Sequence, residues 1–294
     1  MALSKAELDE LRHARALLEN PGITARLSDL VGSPIEKGMK LLPAKWQRTV
    51  HAATESALMK AADVAVFTLG RGGSTRLREH FHKVAVAASG AAGGAFGLPA
   101  LAIELPVSTT LMLRSIADIA AAEGEDPRTI ETKLACLMVF ALGSTRDARD
   151  DAAESGYFAA RSALATAVSE AAKHLAQKGL GKGVAPPLVR LITLIGSRFG
   201  IVVSEKAAAQ AVPILGAAGG ALINTVFIGH YQDMARGHFI VRRLERVHGE
   251  EAVREAYESL SRGPGPSTGS SVTARGDDGP VVAVVPRSPW RRQG

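Results

Sequence analysis

Hydrophobic and polar positions recur along this chain with helical spacing, and no segment sustains the strict alternation of a half-buried strand. The pattern predicts an all-α multi-helix bundle. Amphipathic stretches fill the first sixty residues, with breaks at 20–22 and 32–34 where Pro and Gly interrupt them. After Lys83 the character changes. Residues 84–103 carry no charge, and a second uncharged run covers 207–229, interrupted by Pro213. Between the runs, Gly124 is placed to stop a helix, Asp126 and Pro127 to start the next, and Gly143 to end it. Residues 144–178 alternate charge with alanine, as one or two surface helices would. GLGKGVAPP at 179–187 is the strongest break between the two halves, and Ser204 is placed to cap a helix opening at Glu205. From Arg262 onward the chain is rich in Pro, Gly and Ser. The expected organisation is therefore one helical domain over 1–261, built on two central Ala/Gly-rich apolar units, and a disordered tail over 262–294.

The first uncharged run has twenty residues, long enough to cross a bilayer. Its strongly apolar residues are few, however, and together favour insertion by only about 2–3.5 kcal/mol, so independent spanning is marginal. Glycine supplies the more specific signal. Gly90 and Gly94, Gly93 and Gly97, and Gly216 and Gly220 are each four apart, the spacing that lets helix backbones touch. In water this produces close packing within a core, and in a membrane it produces association or lipid contact. A glycine in a water-facing helix costs about 1 kcal/mol, so each pair calls for a compensating contact.

Composition narrows the alternatives. Hydrophobic residues make up 46% of the 294, but aromatics only 4%, so small aliphatic side chains must fill the core. The net charge of +6 suggests an anionic partner. Five arginines against two aspartates beyond Ser261 place half of that excess on the tail. The remainder is nearly balanced and has no basic cluster interleaved with aromatics, which argues against nucleic acid. Cys136 lies in an apolar run with no neighbouring base and reads as a buried hydrophobe. The charged, amphipathic start of the chain lacks the apolar centre of a secretory leader, so a cytoplasmic location is expected.

The hexapeptide GAAGGA occurs at 90–95 and again at 216–221, each time inside an uncharged run. Unequal spacing to the following Asp118 and Asp233 excludes a strict tandem repeat, leaving a loose echo of two similar helical units. Around these copies, the strings GAAGGAFGLPALAIELPVSTTLMLRSIADIAAAEGEDP and SRFGIVVSEKAAAQAVPILGAAGGALINTVFIGHYQDMARGHFIVRRLE resemble the EcsC protein family. The resemblance extends from about Ala61 to about Gly249, with the first sixty residues and the tail outside it. It implies a helical protein of a family named for a gene beside those of an ABC transporter, with no established biochemical activity.

Polar residues within the two blocks are the candidate site. Thr110, Arg114 and Asp118 are four apart and share a helix face, which with Glu104 could form a pocket for a headgroup or small ligand. Gln210, Asn224, His230, Asp233 and Arg236 are the comparable set in the second block. His230 and Asp233, three apart, could orient an imidazole, although no nucleophile accompanies them. The competing reading pairs Arg114 with Asp118 and makes the second set a packing network. His80 and His82 point apart on a helix, and the chain has no metal, phosphate-loop or nucleophile-elbow motif. No cofactor or metal is expected. The favoured function is a non-enzymatic accessory protein on the cytoplasmic face of the membrane, with lipid or a membrane protein as partner and a role in transport or envelope processes. The rivals are a hydrolase or small-molecule-binding enzyme with a pocket between the two blocks, and a soluble homo-oligomeric scaffold.

Overall fold

The computed structural model describes residues 3–19, 23–31, 44–68, 101–142, 156–178, 186–210 and 216–260. Among these residues all regular structure is helical: α1 (Lys5–Glu19), α2 (Ile23–Val31), α3 (Ala44–Thr68), α4 (Leu101–Ala122), α5 (Ile130–Leu142), α6 (Gly156–Lys178), α7 (Pro186–Gln210), α8 (Gly216–His248) and α9 (Glu250–Ser259). They belong to one compact unit, Met1–Ser261. The fold is thus the all-α bundle that the periodicity predicts. Of the break expected near 179–187, residues 179–185 lie outside the described ones, and α6 and α7 on either side of it pack against each other.

Local chemistry sets the helix ends. Ser4 and Glu7 form a capping box at the start of α1, with the Glu7 amide donating to Ser4 Oγ and the Ser4 amide and hydroxyl donating to Glu7 Oε2. Helix α4 stops at the predicted glycine. Gly124 adopts φ 81°, its amide donates to Ala121 O, and the Glu125 amide reaches back to Ala120 O, so the last carbonyls are satisfied. The next cap falls three residues later than expected. Asp126 instead holds a turn by accepting from the Arg128 amide, and Thr129 Oγ1 accepts from the Thr132 amide to begin α5. Ser204 is likewise not a cap. Helix α7 runs through it unbroken, and its hydroxyl donates to Gly200 O. Gly143 lies outside the described residues.

Helix α8 is the spine. Its 33 residues extend about 50 Å at 1.5 Å per residue, and it packs on α1, α2, α4, α5, α7 and α9. Its pairings with α4 advance together along both helices, Asn224 with Glu104, Gln232 with Ser115, Arg242 with Glu125, so the two run parallel. Helix α7 runs the opposite way, with Phe199 against Tyr231 and Lys206 over Phe227. Phe140, Phe199, Phe227 and Tyr231 form an aromatic centre in a core otherwise made of Ala, Leu, Ile and Val. A second cluster joins α1, α6, α8 and α9 through Leu11, Tyr157, Phe158, Val241, Leu244 and Tyr257. Helix α6 is therefore one amphipathic helix with a buried face rather than a wholly exposed one.

Two glycines of α8 test what small residues do here. A Cβ at Gly237 would lie 2.6 Å from Leu18 Cγ and 2.9 Å from Ala14 O, so α1 rests directly on the α8 backbone, whereas a Cβ at Gly229 would meet nothing within 4 Å. Gly237→Ala is expected to destabilise the protein by about 1–2 kcal/mol through overpacking. Gly229→Ala should stabilise it by about 0.5–1 kcal/mol through lost chain entropy. Urea denaturation of the two variants against wild type checks both signs.

Candidate functional site

The apolar sequence of α4 and the end of α7 places three ionisable groups in the core. Glu104 is the lone charge in thirty residues from Val84 to Leu113, and Glu205 and Lys206 are the lone charges between Phe199 and Gly229. All three are buried, Lys206 completely. Lys206 Nζ donates to both Glu104 carboxylate oxygens at 2.9 and 2.8 Å, and Asn224 Nδ2 donates to Oε1 at 2.8 Å. The ammonium also sits 4.6 Å from the centroid of the Phe227 ring. Burial pushes the Glu104 carboxyl up, but the Lys206 charge and hydrogen bonds from Lys206, Asn224 and Ser108 outweigh it and hold the group below its ordinary value. Further along the same seam, Gln232 Nε2 donates to Ser115 Oγ at 2.7 Å. Burial and the neighbouring Glu205 carboxylate hold the Tyr231 phenol well above its ordinary value. A strip of polar groups thus runs inside the bundle between α4, α7 and α8.

Toward the far ends of α4 and α8 the chemistry is different. Glu125, fixed by the Gly124 turn, accepts from Arg242 at 2.8 Å, from Thr132 at 3.0 Å and from Arg246. Arg243 bridges Glu123 and Glu10, and His248 pairs with Glu7, which ties α1 to the same belt. Beside this belt a cleft of about 500 Å³ opens between α6, α8 and α9, lined by Phe158, Arg161, Glu245, Glu250, Glu251 and Arg254 among others. Arg161 is already engaged, donating to both Glu245 oxygens at 2.6 and 3.0 Å and to Tyr157 Oη at 3.2 Å. The Tyr157 hydroxyl also shares a hydrogen bond with His238 Nδ1, 2.8 Å away. Burial, with the Arg161 and Arg242 charges, holds His238 well below its ordinary value and therefore neutral. Among the described residues there is no group of three His, Cys, Asp or Glu able to hold a metal ion.

The EcsC protein family model matches residues 5–244, more than three quarters of the chain. The chain belongs to the EcsC family. The match begins near the start of α1, so the amphipathic first sixty residues belong to the family domain and are not an addition outside it. Their ion pairs to α8, Glu10 with Arg243 and Arg26 with Asp233, fit that extent. No curated protein and no solved structure matches the chain.

Of the residues singled out from sequence in this EcsC protein, Glu104 and Asn224 come together. The others differ in exposure and in their recorded partners. Thr110 donates to Pro106 O on its own helix, Arg114 is exposed, and Asp118 is half-buried on that outer side. Glu104, Ser108 and Ser115 form the inward stripe of α4 instead. Asp233 is held by Arg26 at 3.0 Å and by Arg236 at 3.4 Å, while His230 is buried. Gln210 closes α7, half-buried. Gly216 opens α8, Gly220 is buried in its first turns, and Gly90, Gly93, Gly94 and Gly97 lie outside the described residues. Of the five residues that the hydrolase reading brings together, Glu104 is buried in the core and Arg114 is exposed. Lys206 is a site residue that sequence reasoning misses, because a helix start at Ser204 places it in a first turn where charge is ordinary. The available signal is a single acid, Glu104, in the first apolar block and a lysine, Lys206, beside Glu205 at the edge of the second.

Removing one partner of the buried pair should be severe, because the other charge is left in the core. Lys206→Met and Glu104→Gln should each cost about 3–5 kcal/mol, while the double variant should recover most of the loss. Glu104 has a depressed folded pKa, so its contribution is present above the ordinary carboxyl value of 4.5 and is lost as pH falls through the folded value. The double variant should therefore lose less stability than wild type below pH 4.5. Urea denaturation across pH reads both effects.

Proposed function

We propose that this EcsC-family protein is a non-enzymatic accessory protein that associates with the cytoplasmic face of a membrane and contacts lipid, in support of transport or envelope processes. The observation that carries this reading is the segregation of charge along the bundle. In residues 101–113 of α4, 199–210 of α7 and 216–229 of α8, every charged side chain points inward, while the outward residues include Ile103, Val107, Ile201 and Leu222. At the other end of the same helices, Glu123, Glu125, Arg242, Arg243 and Arg246 make a charged belt suited to water. A polar interior behind an apolar exterior is the arrangement expected where a bundle meets hydrocarbon, since an intramembrane charge must face its own kind and pair there.

The apolar stretches also bear on how the contact is made. The second uncharged run, 207–229, is not one helix: α7 ends at Gln210 and α8 begins at Gly216. Among the described residues, α7 is the helix long and apolar enough to cross a membrane, with a mean hydropathy of 1.5 over its most apolar 18-residue window, 39% of which is buried. Its packing on α2, α3, α5, α6 and α8 supports retention within the bundle rather than independent spanning. Contact is therefore peripheral, with part of the bundle entering the interface.

Flotation with phospholipid vesicles is the direct test. The purified protein should rise with vesicles and should fractionate with membranes in cells. Recovery in the soluble fraction alone at low salt, together with no flotation on any vesicle composition, would sink the reading.

A further inference from the structure

Where α6, α8 and α9 meet, the fold encloses a histidine that only its neutral form fits. Helix α6 begins with Tyr157 and Phe158 turned inward, and these join Val241 and Leu244 of α8 and Val253 and Tyr257 of α9 in a cluster separate from the main core. The later residues of α6, Leu164, Ala167, Ala171 and Leu175, belong to the main core instead. His238 of α8 has no solvent exposure, and its ring lies edge-on to Tyr157. Nδ1 is 2.8 Å from Tyr157 Oη, but Nε2 has no hydrogen-bond partner among the described residues. A neutral imidazole carries one hydrogen on its two nitrogens and can be held by the single Tyr157 contact. An imidazolium carries a hydrogen on both, and the one on Nε2 would be buried without an acceptor.

The charges around the ring are also set against a second proton. On α6, Arg161 Nη1 donates to the same Tyr157 hydroxyl at 3.2 Å, and on α8 Arg242 stands one turn beyond His238. Their counter-charges are committed, since Glu245 receives Arg161 on both oxygens and Glu125, beyond α4, receives Arg242. From α1, Arg15 lies over the Tyr257 ring and is bonded to Glu19, while Glu10 pairs with Arg243 and Glu7 with His248. From α9, Arg254 lies over Phe158 and is bonded to Glu258, and burial holds the Tyr257 phenol above its ordinary value. Beside Arg242, α5 brings the Cys136 thiol, which burial likewise keeps protonated. Glu245, Glu125, Glu19 and Glu258 thus each have a cation of their own, and Glu250 and Glu251 are exposed on the wall of the cleft.

The same cluster has a place to open. Helix α9 has 10 residues and adds its buried side chains to this cluster, not to the main core. The cleft of about 500 Å³ already parts it from α6 beside Arg161 and Glu245. We propose that His238 is an acid-sensitive latch: uptake of a proton by its ring releases α9 and the first turns of α6 from α8 and widens the cleft, while the main core stays folded. The sign follows from linkage. Burial and the two guanidiniums hold His238 well below its ordinary value of 6.5 while the latch is closed, so the closed form has its full stability above 6.5 and loses it as pH falls below.

Hydrogen exchange of the full chain, read by mass spectrometry and corrected for the intrinsic effect of pH, tests the latch at about pH 7.5 and about pH 5.5, on either side of the ordinary histidine value. Protection of α9 and of the first turns of α6 should fall about tenfold at the lower pH, since each pH unit below the value of the opened state multiplies the opening constant by about ten. The inner residues of α7 should keep their protection. His238→Gln, which does not titrate in this range, should remove the difference. In the wild type, the His238 ring resonance, assigned by its absence from the variant, should remain that of a neutral imidazole down to about pH 5.5. Unchanged protection, a loss spread equally over α7, or the same loss in His238→Gln overturns the latch, as does a His238 ring that ionises at or above 6.5 in the folded protein. If His238→Gln does not fold, the place of the lost protection in the wild type, with the ring resonance assigned by through-bond connection to the backbone, decides the matter alone.

Discussion

A lysine ammonium with no solvent exposure can remain charged only if the surrounding structure holds a counter-charge in hydrogen-bonding range. Lys206 has one in Glu104, with Asn224 bound to the same carboxylate. That requirement fixes the relative height of three helices. Sliding α4, α7 or α8 by one turn would leave a bare charge in a core of alanine and leucine, which disfavours every register but one. Aliphatic packing alone is tolerant of such shifts, and a core this poor in aromatics has few large side chains to lock it. The buried pair supplies the specificity that the small residues lack.

With the register set, the other contacts fall at intervals along α8. Ser115 meets Gln232, and beyond the Gly124 turn Glu125 meets Arg242 and Arg246. Helix α1 joins from the opposite direction, its backbone resting on Gly237 and its acidic residues reaching Arg243 and His248. The outcome is a seam between α4 and α8 with two unlike ends, one where charges are gathered in a surface belt and one where they are enclosed. The membrane proposal depends on that contrast more than on the hydropathy of any one helix.

The glycines divide by context. Gly237 admits a neighbouring helix to backbone contact, Gly124 takes a left-handed conformation that a side chain would resist, and Gly229 faces open space. Four-residue spacing by itself does not separate these cases, because the spacing describes one helix and the contact involves two.

Much of the architecture was legible along the chain. Helical periodicity marked an all-α fold, Gly124 ended a helix where its conformational freedom is needed, and the paired GAAGGA blocks carried the family. These are local properties, determined by each residue's neighbours within a turn or two. The candidate site was only half legible. Glu104 and Asn224 stood out as polar residues in apolar blocks, but Thr110, Arg114 and Asp118 shared a face that proved to be the outer one, and Asp233 was claimed by Arg26 from a distant segment. The direction in which a helix face points, and which charge 102 residues away will neutralise Glu104, depend on how helices stack. Burial and ion pairing are relations between segments, so they acquire values only when the chain is folded.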